Sequence, residues 1–334
     1  MKRKQFLNYV LPAGIAGLLL PKNAAAGHAP DARSGPVPPY LVPGDTIGIC
    51  CTSGFLLPDE IKNCVQMLGK WGFLVELGKS VGDRWLRFAG TDEHRAADLQ
   101  AMLDDDKIKA IIFGKGGYGV MRMMDRIKWE KFADRPKWLV GFSDITALHC
   151  HIQTRFGIPS IHAIMSNSFK ETENGSSISL KTALVGQNIN YQFTVNESNR
   201  PGKAVGKLVG GNLSMLYAMQ ASVSELETEG KILFLEDVGE YKYSVDRMLV
   251  NLKRSGKLDK LAALLVGGFT KFVEDTDPGF DMTLEEMVLE KIKEYNYPVA
   301  FDFPAGHLPQ NLALKLGITY ELIVADTGCG LQEI

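Results

Sequence analysis

Between residues 45 and 165, strand-length apolar runs alternate with amphipathic stretches, and this alternation limits the fold more than any other feature of the chain. The runs 46–51, 73–77, 108–113, 138–142 and 160–165 read as strands, and the segments 60–71, 92–103, 144–156 and one from about 120 repeat their apolar residues at helical spacing. A strand that is apolar on both faces has to be covered on both, and a helix between successive strands imposes parallel pairing. The expectation is an α/β fold whose N-terminal domain, 45–165, is a doubly wound parallel sheet.

The rhythm stops at residue 166. A stretch rich in Ser, Asn, Thr and Glu reads as an interdomain crossing over 166–203. Beyond it, runs at 204–209, 231–235, 261–269 and 312–316 look like strands, and 213–220, 244–252 and 283–294 look like helices. That predicts a smaller C-terminal mixed α/β domain over 204–334. With 45% hydrophobic and 23% charged residues among 334, the chain has the balance of a soluble protein with room for two such cores.

The first 26 residues stand apart. A basic start (Lys2, Arg3, Lys4), an apolar stretch from Phe6 to Leu20 and the small residues Ala24, Ala25 and Ala26 spell a secretory signal peptide cleaved before Gly27. A proline-rich linker over 27–44 would follow, and the protein would be exported, periplasmic in a two-membrane cell. Residues 1–26 hold four basic and no acidic side chains, so their loss takes the net charge from −2 to −6, which argues against a nucleic-acid partner. The five cysteines, 50, 51, 64, 150 and 329, have no C-x-x-C spacing and read as buried thiols.

Gly141-Phe142-Ser143-Asp144 places a serine at the corner between an apolar strand and an amphipathic helix. Such a serine can be a nucleophile facing the N–H groups that open the helix; equally, Ser143 or Asp144 can simply cap that helix. Glu236 ends the apolar run 231–235, where it is either a turn residue or an oriented acceptor. His307 lies between Gly306 and Pro309 on a stiff loop, away from any apolar face. In chain order the three are Ser, Glu and His, the residue types of a hydrolase triad. The loop Gly114-Lys115-Gly116-Gly117-Tyr118-Gly119 follows a strand but fits no phosphate-binding spacing, so its N–H groups are better read as facing a substrate carbonyl. His149 and His151 are two apart on a predicted helix and cannot share an ion, while His94 and His162 read as structural or substrate-side. No metal or cofactor is expected.

These blocks, together with Gly206-Lys-Leu-Val-Gly-Gly-Asn-Leu213 and Leu235-Glu-Asp-Val-Gly-Glu240, resemble the LD-carboxypeptidase family of serine peptidases in order and spacing over about residues 45–325. The resemblance implies an N-terminal domain bearing the nucleophile, Ser143, and a C-terminal domain bearing its partners, Glu236 and His307, with the active site between them. It implies an oxyanion hole from the backbone of Asp144 and of Gly116 or Gly117, substrate contacts from Lys115 and Tyr118, and a homodimer. The family's reaction frees the terminal D-Ala of murein tetrapeptides from an L-configured diamino acid through an acyl-enzyme. Lys115 stands where the family usually has arginine, keeping the charge and losing the bidentate fork. The rival expectations are the family's microcin-immunity branch, which cleaves a peptide-nucleotide antibiotic, and a catalytically silent periplasmic binding protein.

Overall fold

The computed structural model describes residues 35–273 and 279–334; the expected signal peptide and most of the linker lie outside the described residues. Five strands come first: β1 (Thr46–Cys50), β2 (Leu74–Leu77), β3 (Ile108–Phe113), β4 (Trp138–Gly141) and β5 (Ser160–His162). Eight follow: β6 (Asn190–Phe193), β7 (Gly202–Asn212), β8 (Ile232–Val238), β9 (Ala263–Thr270), β10 (Val299–Ala300), β11 (Leu314–Leu316), β12 (Thr319–Ala325) and β13 (Gly328–Glu333). They form two sheets, ordered β2-β1-β3-β4-β5-β11 and β10-β9-β8-β7-β12-β13-β6.

β1 to β5 run parallel, in the doubly wound order whose chain reversal falls between β1 and β3. At that point the loops leaving the C-terminal ends of β1, β3 and β4 diverge to opposite faces and open a crevice. β3 shows why the sheet is covered on both sides: Ala110 and Ile112 pack into one core, Ile111 and Phe113 into another. The first of these cores is shared, because Leu208, Ile232, Phe234 and Leu265 of the second sheet join Ile47, Ile49, Trp138 and Val140 in it. In the second sheet β7 to β10 are parallel, and β12, β13 and β6 add antiparallel strands.

The stretch 166–203 is not bare crossing. It contains a helix, Gly175–Leu184, and strand β6. Asn174 caps that helix by accepting from the N–H groups of Ser176 and Ser177 (3.0 and 3.2 Å). Its buried face is largely serine: Ser176 Oγ and Ser179 Oγ accept from the backbone N–H groups of Asn311 and Ala313 (2.9 and 3.0 Å). A helix that buries hydroxyls has no apolar period to read. The run at 312–316 is also placed unexpectedly, since β11 hydrogen-bonds antiparallel to β5 on the edge of the first sheet.

Candidate active site

Ser143 sits where β4 stops. Phe142 is still extended (φ −150°, ψ −173°), Ser143 turns to φ +62°, and a 3-10 turn over Ser143–Ile145 leads into the helix Thr146–Phe156. A left-handed serine costs about 1–3 kcal/mol, so the corner has to be held from outside. His149 holds it by donating from Nε2 to the Gly141 carbonyl (2.9 Å), and the Ile145 N–H closes the turn on the Phe142 carbonyl (3.2 Å). The buried carboxylate of Asp144 accepts from Ser53 Oγ (2.5 Å) and from the Val120 N–H (3.0 Å), tying the corner to the loops after β1 and β3. Burial pushes the Asp144 carboxyl up, and these two hydrogen bonds pull it back.

The glycine loop lies directly over this corner. Its position is set by the Gly116 carbonyl, which accepts from the Gly54 N–H (3.2 Å), and by the Gly114 carbonyl, which accepts from Ser166 Oγ (3.1 Å) and the Asn167 N–H (3.2 Å). A Cβ on Gly116 would stand 3.2 Å from Ser143 Cβ and 3.3 Å from its Oγ, so any other residue there would crowd the hydroxyl. The N–H groups of Gly116 and Gly117 make no hydrogen bond to a described residue. The Asp144 N–H lies in the first turn of its helix, where intrahelical acceptors are lacking. Three donors of the kind an oxyanion needs are therefore grouped around one serine.

Glu236 reaches this edge from β8. The β8–β9 register slips between Leu235 and Asp237: Gly267 and Gly268 of β9 stand opposite the single residue Glu236, a bulge that brings Gly268 to bridge Gly306, next to His307. The carboxylate has no exposed surface; Oε2 accepts from His307 Nδ1 at 2.7 Å, and Oε1 has no hydrogen-bond partner. Burial pushes this carboxyl up against the opposing pull of His307. Gly306 makes the contact possible: at φ +102°, a Cβ there would fall 2.7 Å from Glu236 Cβ. The His307 carbonyl accepts from Thr270 Oγ1 (3.0 Å), and the Gly306 N–H donates to Asn311 Oδ1 (2.8 Å). The imidazole, 20% exposed, packs 4.8 Å from the Phe142 ring, beside the residue that precedes Ser143. With Nδ1–H given to Glu236, Nε2 of the neutral ring is left as a proton acceptor.

Lys115 and Tyr118 lie on the rim. Lys115 Nζ is 3.9 Å from Glu60 Oε1 and sits above the Phe55 ring, and the exposed Tyr118 packs against Phe88. His162 is buried at the end of β5 between Phe142 and Phe234, and His94 pairs with Asp83. Sequence reasoning passed over Arg95, which has no exposed surface and donates to the carbonyls of Thr52 and Gly119 and to Asp92, bracing two of the three loops. The signal was present: Arg95 shares a helical stripe with Leu99 and Met102, and a cation on an apolar face needs buried acceptors. His149 shares a stripe with Ile145 and Ile152 in the same way.

The comparisons with known proteins bear on the family and the fold. Residues 47–163 match the LD-carboxypeptidase N-terminal domain and residues 205–322 the LD-carboxypeptidase C-terminal domain. The chain belongs to the LD-carboxypeptidase family. It is 32% identical over 294 residues to a probable murein peptide carboxypeptidase of Bacillus subtilis, covering 86% of this chain and 92% of that one. Among solved structures, muramoyltetrapeptide carboxypeptidase from Oxalobacter formigenes superposes with a TM-score of 0.77 at 27% identity, over 86% of this chain and 98% of that one. The microcin C7 self immunity protein MccF gives 0.77 at 23% identity over 88% and 98%, a likeness of fold. The LD-carboxypeptidase fold is thus a two-sheet α/β architecture here, with the crevice of the first sheet facing the ends of β8 and β10.

Proposed function

We propose that this LD-carboxypeptidase hydrolyses the L,D-peptide bond that holds the terminal D-Ala of murein tetrapeptides, with Ser143 as nucleophile, His307 as general base and acid, and Glu236 as the orienter of His307. The reading is carried by one observation: a left-handed serine beneath a glycine loop, at the edge where a Glu236–His307 hydrogen bond packs on the preceding phenylalanine.

Ser143 Oγ attacks the carbonyl carbon while its proton passes to His307 Nε2. Glu236 stabilises the imidazolium, and the N–H groups of Asp144 and of Gly116 or Gly117 hold the oxyanion. Collapse breaks the C–N bond, and the D-Ala amine leaves with the proton from His307. Water then attacks the Ser143 ester, giving a proton to His307 that returns to Ser143 as the acid departs. The signal peptide would place this chemistry at the cell wall, with mature chains beginning at Gly27.

The test is mass analysis after incubation with defined murein tri-, tetra- and pentapeptides and, in parallel, a peptide-nucleotide conjugate. We expect the tetrapeptide alone to shorten by one alanine. Cleavage of the conjugate with the tetrapeptide left intact would move the chain to the microcin-immunity reading. N-terminal sequencing of the cell-wall fraction checks export, and a cytosolic chain that keeps Met1 would refute it.

A further inference from the structure

The rim beside the glycine loop carries a turn that the chemistry above does not use. Trp85 and Phe88 exchange both backbone hydrogen bonds (2.9 Å each), closing a tight reversal with Leu86 and Arg87 at its tip. Leu86 is held at φ +54°, where glycine or asparagine would reverse the chain with less strain. The turn is joined to the loop over Ser143 by successive backbone contacts: the Phe55 N–H donates to the Arg87 carbonyl (3.3 Å), the Gly54 N–H to the Gly116 carbonyl (3.2 Å), and Gly54 bridges Phe88. The tip therefore stands on the rim of the loop that covers Ser143.

Those side chains are exposed. The neighbouring cations are largely engaged. Arg122 pairs with Asp92 (2.8 Å), Lys115 shares Glu60, and Arg84 donates to the Leu86 carbonyl (3.3 Å) and lies over Phe55. Arg87 has no acid partner and no side-chain hydrogen bond among the described residues. Its charge is nonetheless felt at Asp144, the residue after Ser143, whose ionised form it favours. A guanidinium left open on the rim of the glycine loop matches a planar carboxylate, to which it can donate two parallel hydrogen bonds.

We propose that Arg87 binds the terminal carboxylate of the substrate and so makes the site select a chain end over an internal bond. This rests on the reading of Ser143 as nucleophile and of a D-Ala peptide as substrate. Lys115, its charge shared with Glu60, contributes less.

The experiment compares full-length wild type, Arg87→Ala, Arg87→Lys and Lys115→Ala on a murein tetrapeptide and on its C-terminal amide. Arg87→Ala is expected to raise KM for the free acid by about tenfold to a hundredfold with kcat little changed, to leave the amide unaffected, and to be partly rescued in Arg87→Lys. The rate of Ser143 labelling by an uncharged fluorophosphonate should be the same in all four proteins. Equal discrimination between acid and amide in wild type and Arg87→Ala overturns the proposal, as does its loss in Lys115→Ala alone. Slowed labelling of Arg87→Ala also overturns it, because the arginine would then act through the fold. If wild type labels but cleaves no tetrapeptide, the substrate reading fails separately, and protection of Ser143 from labelling by acid against amide still decides for or against Arg87.

Discussion

A carboxylate shut away from water weighs against the fold that holds it. Glu236 is such a group, raised by burial above its ordinary 4.5. Between 4.5 and that raised value the native state binds more protons than the unfolded chain, so stability falls as pH rises through the window and the deficit persists at neutral pH. Glu236→Gln keeps an oxygen for His307 Nδ1–H and removes the charge. It should melt above wild type at pH 7, lose that gain below pH 4.5, and turn over tetrapeptide about a thousandfold more slowly. Melts across pH with kcat on the same preparations check this, and a lower melting temperature at pH 7 would count against it. Ser143→Ala and His307→Ala should each cost at least about a thousandfold in kcat, and the double variant little more, because a triad acts as a unit. Gly116→Ala should slow turnover without unfolding the protein, since its methyl would reach Ser143 Oγ (3.3 Å) before any backbone.

At the scale of elements, the helix Thr146–Phe156 carries a liability of the opposite sign. His149 and His151 are buried on it, and burial pushes each down to about 4. From pH 6.5 to about 4 the native state binds fewer protons than the unfolded chain, so stability falls as pH falls through that range, by about 3 kcal/mol for each ring. Urea midpoints at pH 7 and pH 4.5 should differ accordingly, and His151→Phe should narrow the difference between them. Both rings lie on the helix that follows Ser143, so activity should be lost to acid along with the fold. The same elements mark how far the sequence could be read. β1, β3 and β4 are apolar on both faces, and their period and length carry the first sheet. The helix Gly175–Leu184 was hidden because serines line its buried face, and the β12–β13 hairpin because Ile323 and Ala325 face outward on β12 while β13 carries Gly328 and Gly330 and turns Glu333 inward, which blurs the alternation. Glu236 and His307 stood out singly, but the β9 bulge that carries the His307 loop alongside Glu236 is a matter of register, which residue types do not encode.

The whole molecule is stitched more tightly than two domains in a row. One core is common to both sheets, and β11, after the second sheet's parallel strands, returns to complete the edge of the first. Calorimetry should show a single transition for the described fold, and a fragment ending at residue 165 should fail to fold, since it would expose Ile47, Ile49 and Val140 and leave β5 an open edge. All five cysteines are free and buried, and burial pushes the Cys51 and Cys150 thiols up to about 12. Iodoacetamide should therefore modify none of them until denaturant is added.

A machine assembled from two castings works only as well as the joint between them. Beside the site that joint includes one hydroxyl: Thr146, three residues past Ser143, accepts the Asn212 N–H at 3.2 Å, and Asn212 stands opposite Glu236 in the β7–β8 register. One hydrogen bond and one strand pairing thus run from the helix after Ser143 to the strand that carries Glu236. Thr146→Val removes the acceptor while keeping the shape, so it should leave both sheets folded yet broaden the distribution of Ser143–His307 distances, lowering kcat with KM nearly unchanged.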